Sequence, residues 1–577
     1  MRRPVMGIRA WLVGFGLSMG VWPAVAAAQQ PPADAEPAIV LPPRVGVDGG
    51  RPLSLTLAEA IRLTLEQNND VIVARLDVDA ARQDIRAAEG VFDPRLVPAL
   101  SYQRAVSANT SAVSGATNGR LELDSLAGTF GMEGRTPWAG GRFTVDFSSS
   151  RLESSNQFAR LNPQFPSAFS ATYVQPLFRG RAIDPERRQI LLALRAADLT
   201  DRQLSQVLMD QLTLVEQAYW DLVFAARNLE VQASALSQAQ SQVASNERQV
   251  QEGTLAPIDV VEAQTQVSNF QQTVASAQQA LTEAENRLKS LMLASRDAAE
   301  WGRPIVPADV SDQPAPSMPL DEAVRLALAR RPELAAVDTA RAQNEIDREF
   351  FLDQARPQFD LVGAYTLSGL AGGALQNTGT PPVGGSDPDL ALLARLNELS
   401  ERAGLNPLPV PAPTGGSSVP DFLIGSYSDS LSNLFTRRYP TAVVQVQMEL
   451  PIGNNTARAN LARTQIANTQ IARQRQQLEQ VIEAEVRNTL QAVQSSRQRL
   501  DAASSARRNA LEQYESERRR FESGLSTVFL VLDRQTALVA AQARELRARA
   551  DLNQAVALLE RAVGGTLERH GVKLSVS

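Results

Sequence analysis

The sequence predicts a mainly helical α+β protein in which long coiled-coil hairpins, present in two copies, join a β-barrel shared between three chains. Three observations predict this class: an internal duplication, apolar positions that hold a heptad period over very long stretches, and alternating strands too few to close a barrel alone.

The duplication has a period of roughly 265–275 residues, far longer than a solenoid repeat, so it marks a doubled half-protein. Leu57-Ala58-Glu59-Ala60-Ile61-Arg62-Leu63 recurs as Leu320-Asp321-Glu322-Ala323-Val324-Arg325-Leu326. Pro94 and Tyr102 map to Pro357 and Tyr365, and Gln175-Pro176-Leu177-Phe178 answers Glu449-Leu450-Pro451-Ile452. Gly253, Glu262 and Gln264 answer Gly524, Asp533 and Gln535.

In the first copy, positions from Leu208 through Leu212, Val215, Tyr219, Leu222, Ala226, Leu229, Ala233, Leu236, Gln240, Val243, Glu247 and Val250 step alternately by three and four. Only Gln240 and Glu247 are not apolar, which is a sustained coiled-coil seam. A weaker seam runs through Val486, Leu490, Val493, Leu500, Leu511, Tyr514 and Phe521. The arginine clusters Arg507-Arg508 and Arg518-Arg519-Arg520 read as solvated faces or inter-helix pairs.

Lengths constrain the architecture. A helix over 183–251 is roughly 100 Å long at 1.5 Å per residue. Helices over 257–293 and 320–355, stacked end to end, match it as an antiparallel partner. The second half repeats the arithmetic, with 455–522 against 527–562 plus the N-terminal helix 56–91, so four rods per chain are expected.

Strand alternation is clearest in 442–450, where Ala442, Val444, Val446, Met448 and Leu450 share one face. Phe143, Val145 and Phe147 share a face in 142–148, as do Phe359, Leu361, Tyr365 and Leu367 in a third strand. Segments 95–106, 120–132 and 168–177 show weaker alternation. A membrane barrel with a wet lumen and a periplasmic sandwich both produce this pattern, and counting separates them. Two strands from each half give four, which cannot enclose water, and an open sheet edge does not persist in lipid. Three chains of four strands give a closed barrel of twelve; the turn Pro137-Trp138-Ala139-Gly140-Gly141 allows an extra hairpin and six strands per chain.

The first residues set the compartment. Arg2, Arg3 and Arg9 precede an apolar run to Val25, and Ala26-Ala27-Ala28 offers a cleavage site, so 1–28 reads as a signal peptide. Its removal takes the net charge from -6 to about -9, which argues against nucleic-acid binding. Zero cysteines exclude thiol chemistry, and the single histidine, His570, lies in a C-terminal tail that reads as frayed. With no nucleophile constellation, phosphate loop or metal cluster, neither an enzyme, a metal site nor a cofactor is expected. After the signal no run of 18 apolar residues remains, so membrane insertion would be by strands.

Taken together, the paired helix starts, the Gln175-Pro176-Leu177-Phe178 junction and the turns Gly253–Val260 and Gly524–Asp533 resemble the TolC-type outer-membrane efflux protein family. The resemblance covers nearly the whole mature chain, and it lies in the duplicated order of motifs rather than in any one of them. It divides the chain into a signal peptide (1–28), a Pro-rich segment (29–52), a first repeat (53–299), a linker (300–318), a second repeat (319–565) with a Gly/Pro-rich insertion (367–420), and a tail (566–577). It implies a homotrimer whose barrel sits in outer-membrane lipid and whose helical tunnel crosses the periplasm. Gly253, Thr254, Leu255, Gly524, Leu525 and Ser526 would then lie at the periplasmic tip, meeting an adaptor (membrane fusion protein) bound to an inner-membrane pump or exporter. It also implies an acidic ring at the entrance from Asp533, with Asp259 and Glu262 beside it. Three gate positions depart from the family pattern: Ser526 stands for an arginine, Phe521 for an aromatic hydroxyl and Leu530 for an acid. The expected function is a passive conduit in tripartite efflux or type I secretion. The competing reading is a periplasmic coiled-coil adaptor, which would need one hairpin flanked by small β domains rather than two full copies with strands, or a structural envelope protein, which would explain the heptads but not the strand pairs or the glycine turns.

Overall fold

The structure, a computed structural model, describes residues 43–47, 52–109, 115–116, 118–309, 318–375, 387–409 and 419–572. The expected signal peptide and most of the Pro-rich segment lie outside the described residues. The chain begins with β1 (Leu53–Leu55), α1 (Leu57–Gln67) and α2 (Asn69–Glu89), then runs through β2 (Arg95–Ala108), β3 (Arg120–Arg135), β4 (Arg142–Ser154) and β5 (Leu161–Pro176). It returns in α3 (Pro185–Gln251), turns into α4 (Pro257–Met292), and passes β6 (Ile305–Pro307). The second half holds α5 (Leu320–Arg330), α6 (Pro332–Gln354), β7 (Gln358–Ala374), α7 (Asp387–Arg402), α8 (Tyr427–Phe435) and β8 (Tyr439–Glu449). It closes with α9 (Asn455–Glu522), α10 (Val528–Val563) and α11 (Thr566–Arg569).

The two long helices span 67 and 68 residues and the two return helices 36 each, so the rods are of matched length. Helix α3 starts where Asp184 accepts the Arg187 N–H at 2.7 Å and Pro185 supplies a preset φ. Its seam is buried as its period requires: Leu208 is buried, and Leu212, Val215, Tyr219, Leu222, Leu229 and Leu236 are buried against α4, α1 and the β1–β6 ribbon. Each fully buried leucine there contributes about 1.5–3 kcal/mol of apolar burial. A second cluster joins Ile482, Val486 and Val493 of α9 to Val556 and Leu559 of α10 and Ala323 of α5. The arginines expected on solvated faces do form pairs, Arg507 with Glu545 of α10, and Arg518 with Glu522 one turn on.

The stacking of the short helices differs from the sequence expectation. Helix α4 is continued by α2, not by α5 and α6: the Asn68 side-chain amide donates to the Leu291 carbonyl at 2.8 Å and Asn69 to Ala294 at 3.1 Å. Likewise α10 meets α6, with Arg331 donating to the Ala562 carbonyl at 3.4 Å. The pieces therefore stack within each repeat. The parallel pair β1–β6 explains this, because it clamps the end of α4 beside the start of α1. The expected single helices 56–91 and 320–355 are also each broken, at Asn68 and Arg331. Arg331 precedes Pro332, whose ring disfavours helical φ and ψ at the residue before it.

Six strands form one antiparallel sheet in the order β2-β3-β4-β5-β7-β8, four from the first half and two from the second. Of the two strand counts the sequence allowed, four and six, the structure has six, and the extra hairpin lies in the first half, with 137–141 as the turn between β3 and β4. Register aligns side chains into rows across the whole sheet. Pro98, Phe130, Phe147, Phe169, Leu367 and Pro440 form one row, and Leu96, Met132, Val145, Ala171, Tyr365 and Ala442 another. The opposite face carries Val97, Gly131, Asp146, Ser170, Thr366 and Thr441 in line. One face is therefore apolar and the other largely polar, with Arg151 and the Arg104–Glu122 pair bounding the apolar face at its far end. Helix α8 lies over β5 and β7, where Gly369 leaves room for Ser430 and Asn433 donates to the Leu370 carbonyl at 3.0 Å. Helix α7 lies within the insertion, close to the expected Leu390–Arg402.

The tail is not frayed at His570. Its ring nitrogen lies 2.5 Å from Glu216, which is buried in α3.

Candidate functional site

The tips of the two hairpins lie at the opposite end of the rods from the sheet and share one design. Gly253 and Gly524 both have φ of +74°, with open space where a Cβ would stand. At the first tip the Thr254 N–H donates to the Gln249 carbonyl (2.9 Å) and Gly253 to Val250 (3.0 Å). At the second, Leu525 donates to Arg520 and Gly524 to Phe521, both at 2.8 Å. These are two copies of a Schellman cap, which needs a left-handed residue and so favours glycine. Ser526, in the place of the expected arginine, hydrogen-bonds Glu517 of its own hairpin.

The two tips pack side by side. Ala263 of α4 meets Val528 and Leu532 of α10, with Val243, Leu255 and Phe521 around them, and Gln266 donates to Thr536 at 3.0 Å. This brings Glu262 and Asp533 onto the walls of one depression of about 340 Å³, together with Thr265, Phe529 and Thr536. Asp259 is not part of it: its carboxylate accepts the Ala256 N–H at 3.3 Å and so serves the start of α4. Of the three expected acids, the structure groups two.

Two features escaped the sequence reading. Ile258, Val261, Leu525 and Phe529 expose apolar surface at the tips, between 57% and 72% of each residue. A groove of about 1210 Å³ also separates α3 from the α9 tip, floored by Ser234, Ser237, Ser241 and Ser245 and walled by Tyr514, Arg518 and Phe521. The serine spacing of three and four was its sequence signal, legible only once the opposing helix is known.

Higher along α3, the joints hold buried charge. Lys289 donates to the Trp301 and Arg303 carbonyls at 2.9 and 2.7 Å, and burial pushes its ammonium below the ordinary lysine range, against the pull of Glu285. Tyr219 sits 3.1 Å from both the Leu55 carbonyl and Asp309, and burial, then Asp309, raises its hydroxyl well above the usual tyrosine range.

No described helix is long and apolar enough to cross a membrane. Two helical hairpins fused to a two-faced sheet with free edges define a channel-forming subunit that enters its membrane through strands. The chain belongs to the outer membrane efflux protein family, whose pattern matches residues 142–292 and 421–565, just over half of the chain. It is accordingly an outer-membrane protein that extends into the periplasm. Among solved structures it is similar to a membrane protein from Pseudomonas aeruginosa, at 17% identity over 89% of this chain and 91% of that one, with a TM-score of 0.59. The CusC channel gives 17% identity, 89% and 93% coverage and a TM-score of 0.59. The Campylobacter jejuni CmeC outer membrane channel gives 14%, 88% and 86%, and 0.58. These likenesses establish the shared fold. A search of curated protein sequences gives no match.

Proposed function

We propose that three copies of this chain form a passive conduit from periplasm to exterior, working with a periplasmic adaptor and an inner-membrane pump or exporter. The observation that carries this reading is polarity along one rod: a sheet with unpaired edges and an apolar face at one end, two matched, solvent-exposed turns at the other. The fused sheet and the second hairpin set aside a free-standing adaptor, which has no use for either. Leu525, Phe529 and Ile258, with the serine-floored groove, give the adaptor an apolar and polar surface of helical dimensions. Gly253, Thr254, Leu255, Gly524, Leu525 and Ser526 form the contact, and Asp533 with Glu262 forms the threefold acidic entrance.

The tip contact is tested with Gly524→Trp. Efflux should be lost while trimers remain in the membrane, since nothing lies within 4 Å of that position; loss of the trimers themselves would refute a docking role. For the entrance, Asp533→Ala should weaken block by divalent cations in a planar bilayer, and unchanged block would remove the ring from the account.

A further inference from the structure

The apolar face of the sheet is not evenly filled. Beyond the row of Phe130, Phe147 and Phe169 comes a row of small residues, with Gly128, Ser149, Ser167 and Gly369 in register across β3, β4, β5 and β7. The chain covers part of that row itself. Helix α8 lies on Ser167 and Gly369, and the Ser167 and Ser430 hydroxyls are 2.8 Å apart. Over Gly128 and Ser149 the row is left open, as a depression of about 460 Å³. Phe130, Phe147, Phe165 and Tyr427 wall it, Tyr427 being the first residue of α8.

In an outer-membrane protein this depression opens to lipid, because the apolar face of a two-faced membrane sheet is the outward one. It lies at the end of the apolar band far from the helical rods, beside Arg151 and close to the Arg104–Glu122 pair. That end is the outer leaflet, where acyl chains give way to head groups.

Two properties of the depression narrow its occupant. Its floor is small, its walls are apolar and aromatic, and its volume is on the scale of one acyl chain. Its rim carries a cation: Arg151 lines it, at the height where the apolar rows end. Glu153 takes the Nη2 of that guanidinium, which has further N–H donors, and its planar fork suits a phosphate. We propose that the depression binds a phosphorylated glycolipid of the outer leaflet, with one acyl chain over Gly128 and Ser149 and a phosphate on Arg151. An anionic phospholipid of the inner leaflet has the same two parts, but it meets the sheet at the rod end, away from Arg151. The proposal needs the outer-membrane placement and neither the adaptor contact nor the acidic entrance.

Filling the depression tests it. At Gly128 a Cβ would have the Leu100 Cδ1 as its nearest neighbour, at 3.9 Å, so Gly128→Leu enters the open space without displacing backbone. Ser149→Leu does the same from β4, which keeps the test valid if one variant fails to fold. Arg151→Gln removes the phosphate contact alone. Gly363→Leu is the control, since it adds the same side chain to the same face, in the row of Tyr173 and Val444, where nothing lies within 4 Å.

Full-length protein purified in detergent is titrated separately with lipid A, phosphatidylglycerol and phosphatidylcholine, and bound lipid per chain is counted by native mass spectrometry. The first lipid A should bind about tenfold more tightly than phosphatidylcholine, and Gly128→Leu, Ser149→Leu and Arg151→Gln should each remove that preference. Gly363→Leu should leave it intact. Equal binding of all three lipids, or the same loss in Gly363→Leu, would reduce the site to annular lipid only and overturn the proposal. Tighter binding of phosphatidylglycerol than of lipid A would overturn the assignment to the outer-leaflet glycolipid. Loss in Arg151→Gln with none in either filled variant would overturn the placement of the acyl chain.

Discussion

The two halves of the chain keep the same rods and differ in nearly everything laid on them. Long and return helices agree to within one residue between halves, and the two tip turns repeat the same pair of hydrogen bonds. Yet the first half carries four strands and the second two. The seams diverge as well: at the shared offset Leu208, Leu212 and Leu236 of α3 correspond to Glu479, Glu483 and Arg507 of α9. The helix joints are equivalent in place but not in chemistry, neutral Asn68 in one half and Arg331 in the other. Tunnel geometry fixes rod length and turn, because both hairpins must end at one level. It leaves the chemistry of packing free.

The joints offer the largest way to break that comparison. Arg331, 6% exposed, also pairs with Glu333 at 2.8 Å and Glu485 at 3.0 Å. Arg331→Ala should cost about 3 kcal/mol, since it leaves Glu333 without its partner and the Ala562 carbonyl without its donor, while Glu485 keeps Arg561 at 2.8 Å. Asn68→Ala should cost about 1–2 kcal/mol, the loss of an N-cap and one carbonyl bond. Thermal unfolding of the detergent-solubilised protein compares the two, and equal losses would contradict the difference drawn here.

The seams come next. Leu212→Ala should cost about 2–5 kcal/mol through the cavity it leaves. Glu483→Ala, at the matching place, loses only the helical pair with Arg487 at 2.7 Å, and should change stability by about 0.5 kcal/mol or less. A pH titration isolates a feature of the first half alone. Lys289 has its folded pKa lowered by burial, so between that value and the ordinary lysine value the unfolded chain holds the proton that the folded chain has lost. Stability should therefore rise with pH across that alkaline window, and Lys289→Met should remove the rise in melting temperature. The smallest effect is expected at the turns. Gly253→Ala and Gly524→Ala should each cost about 1 kcal/mol, and equally, because only the left-handed backbone opposes a side chain there.

Much of this fold was legible where a local rule sets a boundary. The ends of α3, α4, α9 and α10 fall within about two residues of expectation, because Asp184, Pro185, Gly253 and Gly524 mark them in the chain itself. Apolar alternation likewise grouped Phe143, Val145 and Phe147 within one strand, and Phe359 and Val444 with their own strands' apolar residues; the pairing register then puts all of them on one face. The stacking of α2 on α4 was not legible, since it depends on a parallel ribbon of only three residues a side, too short for any periodicity. Nor was the fate of His570, whose partner Glu216 lies 354 residues away. At the tip, Glu262 and Asp533 were named from the sequence, but their meeting depends on Ala263 packing against Leu532, a contact between hairpins that no heptad encodes.

The central claim, a trimer embedded in the outer membrane through its strands, is tested most directly by carbonate extraction of isolated membranes followed by electrophoresis of the unheated sample. The account predicts that the protein stays in the pellet and migrates as a species about three times the mass of the 62.4 kDa chain, less the expected signal peptide 1–28. Release into the supernatant as a monomer would contradict it.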